Sequence, residues 1–289
     1  MPELPEVEVV KRSLEKKIQN LIIKKVKIID GNLRYKVNKV LLSKLVGKRI
    51  IQIERRSKFL IFKTNFNSFL LAHLGMTGKF FFVDNKNKRF KTSFYYKIKE
   101  KKDKNYDKII FIFQKNQKLI YNDVRKFGFI KFYSKSKYSE ISHLKHLGPE
   151  PLKKKFNFDY FKKKIIHKKR IIKDVLMDQK FVSGLGNIYV NEILFLSKIR
   201  PTRKVKYLKN FEIKGIIQNT KKILQNSIKL GGSSIKNFSS DDGKKGIYQQ
   251  YFKVYARKNE KCSNADCNSN ITRTVISNRA SFFCKKCQK

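Results

Sequence analysis

The N-terminal segment carries apolar residues at helical spacing. They recur every three or four positions, at Val7, Val10, Leu14 and Ile18. Pro5 suits a first helical position, and the glutamates around it favour the positive end of a helix. The pattern predicts a helix over residues 5–20.

The pattern changes to short β-type runs between residues 21 and 133. LIIKKVKII, KFLIFKT, SFLLAHLG, KIIFIF and FGFIKFY are separated by Gly, Asn and Asp. Short strands punctuated by turn residues are typical of an antiparallel sandwich or barrel. We therefore predict an N-terminal domain, 1–133, in which a helix accompanies an antiparallel β-sandwich. The basic stretch 85–107 within it has no predicted function.

Helical spacing returns after HLGPEP. FDYFKKKIIHKKRIIKDVLMD, NIYVNEILFLSKI and FEIKGIIQNTKKILQNSIKL each carry an apolar stripe, with breaks at GLG and RPTR. This predicts a linker over 134–150 and a helical domain over 151–230. A Gly/Ser/Asp-rich segment, 231–250, and a β-type module, 251–289, complete a multidomain α+β chain.

All cysteines lie in the last module, with the spacing C-x4-C-x16-C-x2-C. They are Cys262, Cys267, Cys284 and Cys287. Two close pairs about a hairpin apart predict four thiolate ligands around one zinc ion, with two disulfides or an iron–sulfur cluster as alternatives. Four protein ligands leave no open position, so the predicted zinc is structural.

The charge of the chain narrows the classes of partner. Lys and Arg number 69 against 22 Asp and Glu, a formal net charge of +47. Such a field suits a protein that binds a polyanion rather than a neutral metabolite. Lys, Ile, Asn and Phe are abundant together, however, as in proteins from AT-rich genomes, so charge alone does not decide the point.

The sequence gives no sign of a membrane or secreted protein. No run of 18 apolar residues occurs, and the acidic N-terminus lacks the apolar core of a signal peptide. We expect a cytoplasmic protein.

The first residues also have a chemical interpretation. Removal of Met1 would leave Pro2 with a secondary amine, and a terminal amine titrates near ~8. Such an amine can attack a sugar carbon and form an iminium, while Glu3 can act as general acid or base. On local spacing alone, PELPE as a simple helix start is the plainer interpretation.

Ordered motifs along the whole chain resemble one family. PELPEVE, RRSKFLIF, HLGMTG, DVRKFG, HLGPEP, LMDQKFVSGLGNIYVNE, SDDGKKG and NRASFFCKKCQK look like the blocks of the bacterial formamidopyrimidine-DNA glycosylases. The resemblance implies a bifunctional glycosylase and abasic-site lyase that removes oxidised purines from double-stranded DNA. It also implies a C-terminal helix–two-turn–helix domain with a β-hairpin zinc finger.

The resemblance implies roles for the catalytic residues. Pro2 would be the nucleophile and Glu3 the acid that protonates the sugar ring oxygen, with Glu6 in a structural or orienting role. Lys58 would act in β-elimination and contact the phosphate beside the lesion. Arg279 would act in δ-elimination and hold phosphate.

Other residues would contact the DNA. An extruded base leaves a gap in the duplex; Met76 and Phe127 would fill it as wedges, while Arg125 would bond the orphaned cytosine. The phosphate contacts implied by the family fall on Tyr106, Lys168 and Asn187, and Lys173 matches a second basic position. The 231–247 segment resembles a loop that closes over the everted base.

Some departures and two alternatives accompany this resemblance. Val124 and Lys126 stand where the family commonly has proline and a second arginine, and Tyr106 stands where it often has histidine. An endonuclease VIII-like enzyme for oxidised pyrimidines is one alternative, although PELPE and the 231–247 segment favour the purine enzyme. A zinc-ribbon nucleic-acid-binding protein without catalysis is the other. We expect a monomer associated with the bacterial nucleoid.

Overall fold

The computed structural model describes residues 2–93, 104–134, 140–233 and 248–289. Most of the 231–247 segment, and residues 94–103 of the basic stretch, lie outside these ranges. The chain forms two compact units. One consists of Met1–Lys145 with Gly231–Ile247, and the other of His146–Leu230 with Tyr248–Lys289.

The first unit is built from two antiparallel sheets and an N-terminal helix. Its helices are α1 (Leu4–Ile18), α2 (Lys39–Ser43) and α3 (Ser142–Lys145). Its strands are β1 (Ile23–Ile28), β2 (Ile50–Arg56), β3 (Phe59–Thr64), β4 (Ser68–His73), β5 (Gly78–Val83), β6 (Arg89–Lys91), β7 (Asp107–Phe113), β8 (Lys118–Asp123) and β9 (Phe129–Ser134). One sheet has the order β2-β3-β4-β9, and the other β1-β7-β8-β5-β6.

The two sheets share one apolar core, as a sandwich requires. Phe62 of β3 and Phe80 of β5 meet edge to face, with ring centroids 5.6 Å apart. The apolar stripe of α1 joins the same core through Val7, Val10 and Leu14, which are fully buried. The predicted helix thus forms over Leu4–Ile18, and the predicted sandwich is present.

The second unit contains helices and one hairpin. The helices are α4 (Phe158–Ile165), α5 (Ile172–Met177), α6 (Asn187–Leu196) and α7 (Asn210–Lys229). Helix α6 reads NIYVNEILFL and is buried on nearly every side, because it packs against α5, α7 and the hairpin. The hairpin strands are β10 (Ile271–Ile276) and β11 (Arg279–Cys284), joined by Ser277 and Asn278. Both joining residues have positive φ, as a tight two-residue hairpin turn demands.

These elements confirm the predicted α+β class: an N-terminal helix, antiparallel sheets, a helical region and a cysteine-bearing hairpin. Within the described ranges, no helix is long and apolar enough to cross a membrane. The limits predicted for the five segments stay predictions.

Candidate active site

The N-terminal residues are fixed in place. Pro2 is buried, and Glu3 is only 3 % exposed. Glu3 is the N-cap residue of α1, and its backbone N–H donates to Glu6 Oε2 at 2.9 Å, as in a capping box. The other Glu6 oxygen, Oε1, accepts from the N–H and the hydroxyl of Ser233, at 2.8 and 2.9 Å. Glu6 therefore lies where it can orient the N-terminal residues.

Lys58 lies in the turn between β2 and β3. It is 7 % exposed, so it is not one of the many surface lysines. Arg55 supports this turn by donating to the Ser57 carbonyl at 3.0 Å and to Glu8 Oε2, on α1, at 2.8 Å. Burial alone would raise the pKa of Glu8, but the hydrogen bonds and charges of Arg55 and Arg12 hold it below its ordinary value. The Lys58 turn is thereby tied to the helix that follows Pro2.

Met76 and Phe127 stand on two adjoining loops, which we call the wedge loops: residues 74–77 between β4 and β5, and residues 124–128 between β8 and β9. Met76 is 44 % exposed and Phe127 46 %, unusual for large apolar side chains. The Arg125 guanidinium lies 4.5 Å from the centre of the Phe127 ring. The loops thus present apolar side chains and a cation together.

Asp123 joins the two wedge loops. It is completely buried, and its Oδ1 accepts from the Thr77 hydroxyl at 2.5 Å while Oδ2 accepts from the Gly128 N–H at 2.8 Å. The Thr77 oxygen in turn accepts from the Arg125 N–H at 3.0 Å. Gly75 has φ +58°, and a Cβ there would lie 2.5 Å from the Gly128 nitrogen. The loops therefore interlock through backbone contacts that tolerate no side chain.

His73, at the end of β4, supports the same loops from inside. Its Nδ1 accepts from the Gly75 N–H at 3.1 Å, so the neutral ring carries its proton on Nε2. Burial, followed by the nearby charges of Lys58 and Arg34, lowers the pKa of His73 to about 4. The imidazole is neutral at physiological pH.

The family departures fit this arrangement. Val124 is exposed, and Lys126 adopts φ +58° with its Nζ 2.9 Å from Asp30 Oδ2. Tyr106 is half-buried, and its carbonyl accepts from the Asp123 N–H at 3.1 Å. The loop holding Arg125 and Phe127 is therefore tied at several points despite the altered sequence.

In the second unit, the hairpin that carries Arg279 is braced by α5 and α6. Arg279 is exposed, whereas Lys173 is buried and bonds the Ser281 hydroxyl and, at 3.5 Å, the Arg279 carbonyl. Burial lowers the pKa of Lys173 to about 8. Asn191 accepts from the Phe282 N–H at 2.7 Å. Lys173 is thus a support of the hairpin rather than a surface cation.

The family resemblance implies that Asn187 and Lys168 contact phosphate, and in the structure both side chains also have contacts within the protein. The Asn187 side-chain amide donates to the Ala280 carbonyl at 2.8 Å, so it is engaged by the hairpin. It stands at the start of α6, behind Gly184 and Gly186, where backbone N–H groups point out of the helix. Lys168 is half-buried, with Nζ 5.8 Å from the Phe181 ring centre.

The four cysteines come together as a metal site requires. Their Sγ atoms all lie within 4.8 Å of one another. Cys262 and Cys287 are 3.8 Å apart at sulfur, and Cys267 and Cys284 3.6 Å. Tetrahedral zinc with Zn–S bonds of about 2.3 Å spaces its sulfurs by about 3.8 Å, whereas a disulfide bond is about 2.05 Å. The residues fit one four-coordinate zinc ion.

Glu192 is a buried acid that the sequence analysis missed. Its carboxylate accepts from the backbone N–H groups of Lys253, Val254 and Tyr255 at 2.8–3.0 Å. Burial raises its pKa, although these hydrogen bonds oppose the shift. The sequence signal that could have revealed this residue is a glutamate within the otherwise largely apolar run of α6.

Two family models together match most of the chain. Residues 1–130 match the model of the formamidopyrimidine-DNA glycosylase N-terminal domain, and residues 147–239 match that of the formamidopyrimidine-DNA glycosylase H2TH domain. A formamidopyrimidine-DNA glycosylase of Rickettsia bellii (strain OSU 85-389) is 41 % identical over 289 residues, all of both chains.

Solved structures of the Lactococcus lactis FPG protein share the fold. A mutant of that protein, bound to Fapy-dG-containing DNA, is 35 % identical with a TM-score of 0.85. The wild-type protein, bound to DNA containing an oxidised pyrimidine, is 35 % identical with a TM-score of 0.84. Each comparison covers 100 % of both chains. The chain belongs to the formamidopyrimidine-DNA glycosylase family.

Proposed function

We propose that this protein is a base-excision-repair glycosylase that removes 8-oxoguanine and formamidopyrimidines from duplex DNA and then cleaves the abasic site. Family membership over the full length supports this activity. The observation that carries it is the capped N-terminus: Pro2 and Glu3 are buried, and Glu6 holds the backbone of Glu3. Chain termini usually fray unless other parts of the fold hold them, so this anchoring fits a terminus with a chemical role.

Pro2 is the proposed nucleophile. Its secondary amine attacks C1′ of the damaged nucleotide, the base leaves with the electron pair of its bond to C1′, and the proton lost by the amine neutralises the departing base. Glu3 protonates the ring oxygen as the C1′–O4′ bond opens, which leaves an iminium between Pro2 and the sugar. Loss of the C2′ proton then expels the 3′ phosphate, because the iminium accepts the electrons.

Lys58 and Arg279 are the proposed phosphate ligands for the two eliminations. Lys58 is buried near a neutral His73, and its ammonium can form a charge-assisted hydrogen bond to the phosphate next to the lesion. Arg279 stands exposed on a braced hairpin and can hold phosphate with two hydrogen bonds. Neutralised phosphates are better leaving groups.

The wedge loops are the proposed means of keeping the base extruded. Met76 and Phe127 replace the lost stacking, and Arg125 bonds the orphaned cytosine. Their exposure and the interlocking through Asp123 support this role. Asn187, Lys168 and Tyr106 are proposed contacts to the DNA backbone; Asn187 does so through the start of α6.

One structural zinc completes the proposal. Cys262, Cys267, Cys284 and Cys287 would hold it, and it would tie the base of the hairpin whose far end carries Arg279. The protein is proposed to act as a monomer in the bacterial cytoplasm, on nucleoid DNA. Sedimentation of the free protein and of its complex with a single-lesion duplex tests the monomer.

Borohydride trapping tests the catalytic proposal. The protein is mixed with an 8-oxoguanine·C duplex and reduced, and the adduct is mapped by mass spectrometry. We expect a covalent DNA adduct on Pro2. Parallel assays with thymine-glycol duplexes test the endonuclease VIII-like alternative, which faster excision of the pyrimidine would establish. Absence of any adduct would refute the imine mechanism and favour a protein that only binds DNA.

A further inference from the structure

The residue between Arg125 and Phe127 is held by a carboxylate from another part of the chain. Lys126 Nζ lies 2.9 Å from Asp30 Oδ2, and Lys108 Nζ lies 3.0 Å from the same oxygen. Asp30 Oδ1 accepts from the Asn32 N–H at 2.9 Å. Hydrogen bonds from Lys126, Asn32 and Lys108 hold the pKa of Asp30 well below its ordinary value.

Lys126 is exposed, as in an ordinary surface ion pair, but its partner Asp30 is held in place by the fold. Lys108 is only 5 % exposed and stands on β7 of the sandwich. The Lys108 carbonyl accepts from the N–H groups of Ile29 and Asp30, at 2.8 and 3.2 Å. The carboxylate therefore extends from a rigid sheet towards the loop.

The segment after Asp30 reaches the end of the same loop. The Arg34 N–H donates to the Gly128 carbonyl at 3.2 Å. Asp30 and Arg34 thus hold Lys126 and Gly128 from one side, while contacts from Thr77 and Asp123 hold the loop from the other.

The loop needs this support at Lys126. Its φ of +58° lies in the left-handed region, which lysine adopts reluctantly. Relaxation to negative φ would turn the chain at this residue and re-aim the two neighbouring side chains. Arg125 and Phe127, which stack on each other, would then lose their common direction.

We propose that Asp30 is a positioning residue for base extrusion. It holds Lys126 in the left-handed conformation, so that Arg125 and Phe127 are aimed before DNA arrives. Lys126 is consequently an anchor of the loop and not a ligand of a DNA phosphate. This inference rests on the proposed function of Phe127 and Arg125.

The test combines three variants with three measurements. D30N, K126M and the double variant are compared with E54Q, which removes the carboxylate of a cross-strand ion pair to Lys63 in the same unit. The measurements are single-turnover excision from an 8-oxoguanine·C duplex, cleavage of a pre-formed abasic site, and the salt dependence of affinity for undamaged duplex. Thermal melts accompany each, because D30N also weakens the contact of Lys108.

We expect D30N and K126M each to slow excision about tenfold, with no further loss in the double variant. Cleavage of the abasic site should fall by no more than about threefold, because no base has to be unstacked. K126M should keep the wild-type slope of the logarithm of DNA affinity against the logarithm of salt concentration. D30N releases Lys126, so it should steepen this slope by up to about 0.9. E54Q should match the wild type.

Three results would contradict, in turn, the anchor role of Lys126, the positioning role of Asp30 and the proposed function. A salt slope of K126M that is shallower by about 0.9 would show that Lys126 contacts a phosphate, and it refutes the anchor. Wild-type excision rates in both single variants, or additive losses in the double variant, refute the positioning role. A wild-type protein that cleaves neither lesion nor abasic site refutes the proposed function instead.

Discussion

Glu6 holds Ser233 by two hydrogen bonds to one oxygen, from the backbone N–H at 2.8 Å and from the hydroxyl at 2.9 Å. The other oxygen of the same carboxylate holds the backbone of Glu3. One side chain therefore connects the terminus that carries Pro2 with Ser233, near the start of the 231–247 segment.

Replacing this carboxylate should impair both catalysis and folding. E6Q offers only one acceptor oxygen, so it cannot hold both Glu3 and Ser233, and we expect excision to fall about a hundredfold because a small displacement of the nucleophile is costly. The free energy of unfolding should fall by about 1–3 kcal/mol. Borohydride trapping and urea denaturation measure the two effects. E15Q, which alters an ion pair of the same helix with Lys11, is the control; equal activity of E6Q and E15Q would contradict the prediction.

A methyl group at Gly75 should separate the wedge loops. G75A places a Cβ 2.5 Å from the Gly128 nitrogen and forces a positive φ on alanine, so we expect a loss of about 2–4 kcal/mol in the free energy of unfolding. G215A is the matched control, because a Cβ there, inside α7, meets nothing within 4 Å. It should stabilise the protein by about 0.5–1 kcal/mol. Urea denaturation of both variants decides, and an unaltered stability of G75A would show that the loops do not interlock.

Acid should destabilise the first unit through His73. Its pKa is about 4 in the folded protein against an ordinary 6.5, so the unfolded chain binds more protons between these values. The stability from neutral His73 is complete above pH 6.5 and is lost as the pH falls towards 4, by about 3 kcal/mol.

Matched variants isolate this effect. H73Q can keep an acceptor for the Gly75 N–H without titrating, so the stability difference between wild type and H73Q should depend on pH between 4 and 6.5. His143 is more exposed, and its pKa is lowered by partial burial and by the charges of Lys131 and Arg34, so H143Q should remove a smaller part of the pH dependence. Thermal melts across this range provide the measurement, and parallel curves for wild type and H73Q would assign the acid sensitivity elsewhere.

Metal removal should loosen the hairpin before the rest of the protein. We expect one zinc per chain by elemental analysis, and chelation should expose β10 and β11 to proteolysis because their core includes the cysteines. C284S should do the same without chelator. Iron with visible absorbance, or cysteines resistant to alkylation until reduced, would instead establish the cluster or the disulfides.

One added residue ahead of Pro2 should abolish excision, because the secondary amine becomes an amide and loses its nucleophilicity. DNA affinity should remain. A tag at the C-terminus is the control, and a fully active N-terminal extension would exclude Pro2 as nucleophile.

The sequence predicted what depends on local spacing. Helical periodicity alone predicted the apolar stripe from Val7 to Ile18, and the spacing of the cysteines alone predicted a metal site. Each β-run could be recognised from its own residues, since alternation and turn chemistry act over a few positions.

Contacts between residues far apart in the sequence could not be predicted from these local patterns. Asp30 and Lys126 are ordinary polar residues until the fold brings them together. Lys58 illustrates the same limit: among so many lysines, nothing local distinguishes a buried one from an exposed one. Lys126 and Val124 depart from the residues common in the family, yet the structure ties the loop between β8 and β9 at both ends and in its middle.

Two buried carboxylates mark the borders of one stretch of chain. Glu6 binds Ser233 within the first unit, and Glu192 binds residues 253–255 within the second. The segment between Ser233 and Lys253 therefore begins and ends at residues that other parts of the protein hold. Lengthening such a stretch costs little, about 0.6 kcal/mol for each doubling of its length. Changes in the length of the proposed lesion-capping segment should therefore cost little stability, provided that the Glu6 and Glu192 contacts at its two borders are kept.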